Sequence, residues 1–425
     1  MQSESVNYKS ATLHEDASSV HPGTMVLTIF AVLLCVTGAT ALKLDLEVRL
    51  HTDEIIRRWG YTVETVTVTT QDGYLLQMHH ILSGRNESKD TVKTDKPVVF
   101  MQHGFEDSSF TWVANLPEQS AGFMFADAGF DVWLGNVRGN TYGRRHVSLN
   151  PLFRKFWEFS WDAMAKYDLP DMINTVLEKT GQKNLTYIGH SQGTLIMFAK
   201  LAEDKEFALK INKFFALAPI NTVTHVKGLL PLLSTAAHLT ISIFETAFGS
   251  HEFMPGKFFT RMAFNLLCSQ NPGNELCSNM VFLIVGPDSN QLNRTRLPVY
   301  LAHTPAGTSS QNALHWVQMY ASGKMQKYKF PNPFENLKRY GNFNPPSYDV
   351  SKITTETHLY YGDNDWLANV YDVKKSILGR LDKAVVTQNY LRDFNHVDFT
   401  WGLRAAEEIY KPIIQIIKGG KSAVV

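Results

Sequence analysis

Two hydrophobic periods alternate through the first two hundred residues. Residues 61–82 place β-branched residues at alternate positions in TVETVTVTT, with an apolar run after Gln71-Asp72-Gly73. That pattern predicts two strands joined at the turn. PVVFMQ (97–102), DVWLG (131–135), LTYIG (185–189) and FFALAP (214–219) are short continuous apolar runs. Such runs predict strands covered on both faces, as in a parallel sheet. Helix-spaced stretches lie between them. SAGFMFADAG (120–129) stops at Gly129, and residues 169–180 place apolar side chains at 169, 172, 173, 176 and 177, with Pro170 early and Gly181 past the end. TLIMFAKLAE opens a helix near 193. The alternation resumes with THLYYG (357–362), a helix from about Tyr371, AVVTQNYL (384–391) and an amphipathic helix from about Trp401 to Ile417. Together these predict an α/β fold, a mostly parallel sheet with helices on both faces.

The pattern breaks down between about Pro219 and Pro346. That stretch holds LLPLL (229–233), ISIF (241–244), Pro-Gly punctuation, Cys268 and Cys277. Strand–helix alternation brackets it on both sides, so it is expected to be an insertion into one core. The other break is the apolar run at 25–42, MVLTIFAVLLCVTGATAL, which ends in Ala39-Thr40-Ala41 before charged sequence. This predicts a secretory signal cleaved after Ala41, with translation from Met25 giving a leader of ordinary length. An uncleaved anchor is the alternative for a run of this length. The expected divisions are 1–41 (extension and signal peptide), 42–219 (core), 220–345 (cap or lid) and 346–425 (core). A secretory route gives meaning to three glycosylation sequons, at Asn86, Asn184 and Asn293.

Composition changes this picture little. The chain has 425 residues, 44% hydrophobic and 19% charged, which excludes a disordered chain, a collagen or a coiled-coil rod. With 41 basic against 40 acidic residues there is no electrostatic case for nucleic acid. Three cysteines, one of them Cys35 in the leader, make no disulfide scaffold. There is no H-E-x-x-H, no paired C-x-x-C and no phosphate-binding G-x-x-x-x-G-K-[ST]. His79 and His80 are adjacent in a predicted strand, so their rings face opposite ways. No metal and no cofactor are expected.

The chemistry concentrates in Gly189-His190-Ser191-Gln192-Gly193. A predicted strand precedes this G-x-S-x-G and a predicted helix follows, the context of a nucleophile elbow. A serine hydroxyl needs a base, and the base needs an orienting acid, in the chain order Ser, acid, His. The base is expected in the loop after the last strand, where His396 stands; His358, inside a strand, is expected to be packed or paired. The acid is expected after THLYYG, where Asp363 and Asp365 both lie and spacing does not separate them. Asp398, two residues past His396, is a poorer candidate because the acid should come from another loop. Two backbone donors should hold the developing oxyanion. One is the N–H of Gln192; the other is the N–H of Phe105, after the predicted strand that ends at His103-Gly104.

Ten segments then carry a resemblance. DEIIRRWGY, VTTQDGYLL, MQHGFEDSS, DVWLGNVRGNTYGRRH, MAKYDLPDMI, YIGHSQGT, FFALAP, AHTPAGTSSQN, GDNDWLANVYDV and NHVDFTWG resemble the animal acid lipases of the gastric and lysosomal type, among them the insect lipase-3-like members. The similarity runs from about Thr52 to Lys418. It implies an α/β-hydrolase fold with a cap and mobile lid over residues 220–345, Ser191 as nucleophile and His396 as base. It also implies Asp365 as the acid, because Asp365-Trp366-Leu367-Ala368 fits the family's motif, while Asp363 stands where the family usually has Gly. Phe105 replaces the family's usual Leu, and the donor there is backbone. A Cys268–Cys277 disulfide is implied, with Val285 in place of the family's third cap cysteine. The implied function is hydrolysis of neutral-lipid esters at an oil–water or membrane interface, outside the cell or in the lysosome, with no obligatory protein partner. A soluble carboxylesterase and a catalytically inactive lipid-binding relative are the competing expectations.

Overall fold

The computed structural model of the protein describes residues 45–87, 96–228, 231, 251–253, 268 and 273–419. The apolar run at 25–42 lies outside the described residues, as do ISIF (241–244) and all of LLPLL (229–233) except Pro231.

The hairpin forms where alternation and turn chemistry place it. Strands β1 (Val63–Thr69) and β2 (Tyr74–Ile81) pair antiparallel, Val63 opposite Ile81 and Thr69 opposite Leu75. Val66 and Val68 are buried while Thr65, Thr67 and Thr69 are exposed, so the period of two in the sequence becomes an inside and an outside. The strands that follow are β3 (Val98–Gln102), β4 (Asp131–Gly135), β5 (Arg145–His146), β6 (Leu185–His190) and β7 (Ile211–Leu217). After them come β8 (Glu252–Phe253), β9 (Thr308–Ser309), β10 (Thr357–Tyr361) and β11 (Val386–Tyr390).

The main sheet runs β1-β2-β4-β3-β6-β7-β10-β11, with β5 paired to β2. From β4 to β11 every neighbouring pair is parallel; β2 joins β4 antiparallel. Every residue of β3, β6 and β10 is buried. Side chains of a strand alternate between faces, so burial of all of them means that helices cover both faces. β11 is the edge. None of its residues is fully buried, and it carries Thr387, Gln388 and Asn389.

β7 and β10 are direct neighbours although some 140 residues separate them in sequence order. The intervening chain leaves the sheet and returns beside its point of departure. It contributes the antiparallel pair β8–β9 and the helices Gly273–Val285, Leu297–His303, Ser310–Ser322 and Pro333–Tyr340.

One helix differs from expectation. The chain is not continuously helical from Trp401 to Ile417. A short helix ends at Trp401, and helical structure resumes over Ala406–Tyr410 and Lys411–Ile417. Gly402 between them is extended and bridges to Leu292, while the N–H of Leu403 donates to the carbonyl of Gln291 (3.1 Å). A contact with a distant loop overrides the local helical period.

Candidate active site

β6 ends at His190 and the helix Gln192–Glu203 begins two residues on. Ser191 alone makes the turn, at φ 53° and ψ −118°. A side-chain-bearing residue in this region stores about 1–3 kcal/mol of strain, which surrounding structure must hold. Gly193 lets the helix start this close to the sheet, since a Cβ there would lie 2.4 Å from the carbonyl oxygen of Gln102 in β3. Gly104, in the loop after β3, also lies close to the turn. A Cβ there would sit 3.0 Å from the Cβ of Ser191, so the backbone of that loop passes directly beside the hydroxyl.

His396 and Asp365 come to the same point from the loops after β11 and β10. His396 Nε2 lies 2.8 Å from Ser191 Oγ, and its Nδ1 lies 2.9 and 3.0 Å from the two oxygens of Asp365. A carboxylate can only accept, so Nδ1 carries the proton and Nε2 is free to accept from the hydroxyl. Asp365 is wholly buried, and its Oδ1 also accepts from the N–H groups of Leu367 (2.9 Å) and Ala368 (2.7 Å). Those bonds fix the carboxylate plane.

The other acids point elsewhere. Asp363 is exposed and bonds the Tyr390 hydroxyl. Asp398 accepts from the N–H of Asn395 (2.7 Å), and burial pushes its carboxyl up to about 7. His358, in β10, bonds Glu356 (2.8 Å) just before the strand. His79 and His80 face opposite sides of β2: His79 meets Ser109 (2.8 Å), while His80 bonds Asp131 and stacks on Trp133.

The loop bearing Phe105 is braced from beneath. His103 Nδ1 donates to the Gly104 carbonyl (2.8 Å), and its Nε2 accepts from Val137 N–H (3.3 Å) and Asn140 Nδ2 (3.1 Å). A ring nitrogen facing two donors cannot also hold a proton, and burial lowers the pKa of this imidazole to about 4. Between Val137 and Asn140 stands Arg138, fully buried. It bonds Asp168 and takes both oxygens of Asp72, with its guanidinium 4.0 Å from the Tyr74 ring centre. The loop after β4 is thereby pinned, and it pins the loop after β3.

Two anchors carried no sequence signal. The carbonyl of Val285 accepts from both Trp366 N–H (3.3 Å) and His396 N–H (3.2 Å), tying the loops that carry Asp365 and His396 to one helix end. That helix, Gly273–Val285, is cross-linked by the Cys268–Cys277 disulfide. His190 bonds the His396 carbonyl. Both contacts join segments far apart in sequence, so no local pattern marks them.

Of the sequon asparagines, Asn86 and Asn184 are exposed and Asn293 is half-buried, its Oδ1 accepting from the Thr295 hydroxyl (2.7 Å). Among the described residues no cluster of His, Cys, Asp and Glu is arranged to hold a metal ion, and no helix is long and apolar enough to cross a membrane.

Comparison with known proteins gives consistent relationships. Residues 52–116 match a partial alpha/beta-hydrolase lipase region, and residues 97–386 match the alpha/beta hydrolase fold. Lipase lipl-1 of Caenorhabditis elegans is 48% identical over 398 residues, covering 93% of this chain and 97% of that protein. Human gastric triacylglycerol lipase is 42% identical over 375 residues, covering 88% and 92%. Among solved structures, a putative lipase from Acinetobacter baumannii AYE aligns with a TM-score of 0.51 at 14% identity, covering 89% of this chain and 99% of the other. At that identity it speaks to the fold alone.

Proposed function

This chain belongs to the acid lipase family of α/β-hydrolases and is an ester hydrolase, and from that premise we propose that it cleaves neutral-lipid esters through an acyl-enzyme on Ser191. The observation that carries the reading is the continuous hydrogen-bonded path from Ser191 Oγ through His396 to Asp365.

In this mechanism His396 Nε2 takes the hydroxyl proton as Ser191 Oγ attacks the ester carbonyl. The backbone N–H groups of Phe105 and Gln192 receive the negative charge that develops on the carbonyl oxygen. The imidazolium stands against the Asp365 carboxylate while the tetrahedral intermediate exists. It then protonates the departing alcohol. Water, activated by the same imidazole, attacks the acyl-enzyme and releases the acid. Asp365 orients the ring and does not itself take the proton.

Triacylglycerol is the leading substrate class, supported by the gastric triacylglycerol lipase relatives; steryl esters are the second. The excursion over 220–345 is assigned as the cap and lid. The leader pattern supports a secretory route, to the outside of the cell or the lysosome, with Asn86, Asn184 and Asn293 as acceptor sites for glycans.

Wild type and Ser191→Ala are assayed on triglyceride emulsion, steryl ester, phospholipid and a short soluble ester from pH 4 to 8. The wild type should turn over triglyceride emulsion faster than soluble ester, and Ser191→Ala should be inactive on all with its melting temperature kept. Emulsion hydrolysis by the variant sinks the assignment of Ser191. A wild type active only on the soluble ester makes the protein a carboxylesterase.

A further inference from the structure

The two residues assigned as oxyanion donors are touched by a single side chain from the excursion between β7 and β10. Trp316, on the helix Ser310–Ser322, donates its indole N–H to Oε1 of Gln192 (2.9 Å), and its ring meets the ring of Phe105 edge-on, centroids 5.8 Å apart at 71°. Asn312, one turn earlier on the same helix face, donates to the same Gln192 oxygen (2.9 Å). An indole N–H can only donate, so the orientation of the Gln192 amide is determined: Oε1 toward the helix, Nε2 toward Met164 Sδ (3.4 Å). Both lone pairs of Oε1 are used. Asn312 is itself held, accepting from Trp161 N–H (2.8 Å) and donating to Thr308 Oγ1 (3.1 Å).

Gln192 is the first residue of its helix, and its N–H lies one peptide from the strained Ser191. The Ser191 carbonyl of the same peptide accepts from Thr194 N–H (2.8 Å) and Thr194 Oγ1 (2.7 Å), which sets the direction of this N–H, and the buried Gln192 side chain adds an anchor to the excursion. Phe105 presents its own N–H from a different loop, braced by His103, and a side chain that contacts both residues couples the two donors. Trp316 does so.

We propose that Trp316 is a positioning residue for the oxyanion site, holding the N–H groups of Phe105 and Gln192 at the separation a tetrahedral intermediate requires, with Asn312 as its auxiliary. This rests on the assignment of Ser191 as nucleophile. A contact of this kind acts in the transition state, because a planar ester carbonyl uses the donors less than the oxyanion does.

The test compares wild type, Trp316→Phe and Gln192→Met on a soluble nitrophenyl ester and on its thiono analogue, whose sulfur accepts hydrogen bonds poorly. Trp316→Phe keeps the ring against Phe105 and loses the N–H; Gln192→Met keeps volume and loses the acceptor. In each, kcat for the oxoester should fall ~10-fold, less than the ~10²–10³ for outright loss of a donor, with KM within about twofold. The thionoester rate should change far less, so the oxo-to-thiono ratio collapses. Unchanged kcat in folded variants overturns the proposal, and so does a parallel fall of both substrates, which would mark general disruption. Loss of folding in one variant leaves the other to decide; loss in both assigns the contact to the fold and also overturns it. Labelling of wild-type Ser191 by a nitrophenyl alkylphosphonate tests the underlying assignment separately: no labelling sinks that assignment, whereas labelling with unaffected variants sinks only the role of Trp316.

Discussion

His190 Nε2 donates to the carbonyl oxygen of His396, 2.9 Å away, so the strand that leads into Ser191 also holds the loop that carries His396. A carbonyl only accepts, so Nε2 bears the proton; Nδ1 is buried with no hydrogen-bond partner among the described residues. Burial, helped by the neighbouring His396, lowers the pKa of this imidazole to about 3, so the ring is neutral and the bond persists in mild acid.

Replacing His190 by Phe should therefore cost stability and turnover together. The His396 carbonyl loses its donor, a cost of about 1–3 kcal/mol, and the base loop gains freedom. Urea melts and kcat on a soluble ester read the two effects. His190→Gln, whose amide can still donate, should lose less of both; equal losses in the two variants would count against the hydrogen bond as the cause.

Asp365→Asn should lower kcat by ~10⁴ with little change in the melt. The amide oxygen would keep the Leu367 and Ala368 N–H groups, turning its NH₂ toward His396 Nδ1. The ring must then protonate Nε2, and the base is lost. Asp363→Asn touches an exposed carboxyl bonded to Tyr390 and should leave turnover within about twofold of wild type, as surface changes usually do. A comparable loss in both variants refutes the choice of Asp365.

Asp107 gives a prediction with a sign. Burial pushes its carboxyl up to about 7 from 3.8, against hydrogen bonds from Ser108, Thr111 and Thr304. The folded state therefore binds this proton more tightly than the unfolded state. Its stabilisation is fully present below about 3.8 and is lost as pH rises through about 7. Buried His103 and His190 act oppositely, losing stabilisation as pH falls below 6.5, so the whole-protein curve mixes the two. Asp107→Asn isolates one of them. Its melting temperature relative to wild type should be higher at pH 8 than at pH 5; a pH-independent difference would refute the burial of a titrating carboxyl there.

The Cys268–Cys277 bond closes a short loop, with a sequence separation of 9. Its removal as the double Ser variant should cost ~2–3 kcal/mol. Turnover should also fall, because the helix it fastens ends on the Val285 carbonyl that holds the acid and base loops. Denaturant midpoints and kcat measured on the same preparation check this; an unchanged kcat would separate the helix from the site.

Most of the sheet was legible because burial on both faces imposes a continuous apolar run and half-burial imposes alternation. β3, β6, β7 and β10 fall within or across their apolar runs, and the hairpin turn is at Gln71-Asp72-Gly73. Ser191 was legible because its turn demands glycine two residues away on each side, at Gly189 and Gly193. The acid was not legible from spacing: Asp363 and Asp365 stand two residues apart, and only the family motif favoured one. In space, one is wholly buried against His396 and the other is exposed against Tyr390.

The sequence alone therefore determined most of the core elements, their order and the residue types able to do acyl transfer, since each of these reflects a local period or a motif. Tertiary structure decided what faces what. Gly402 leaves the helical path because Leu292 bridges to it, and the strand before Ser191, the loop of His396 and the disulfide-bound helix meet at the carbonyls of His396 and Val285. These partners are joined by hydrogen bonds between segments 108 to 206 residues apart, as from Asn395 to Pro287 and from His190 to His396. A one-dimensional pattern records whether a position is buried. It carries no record of which distant backbone group it is buried against.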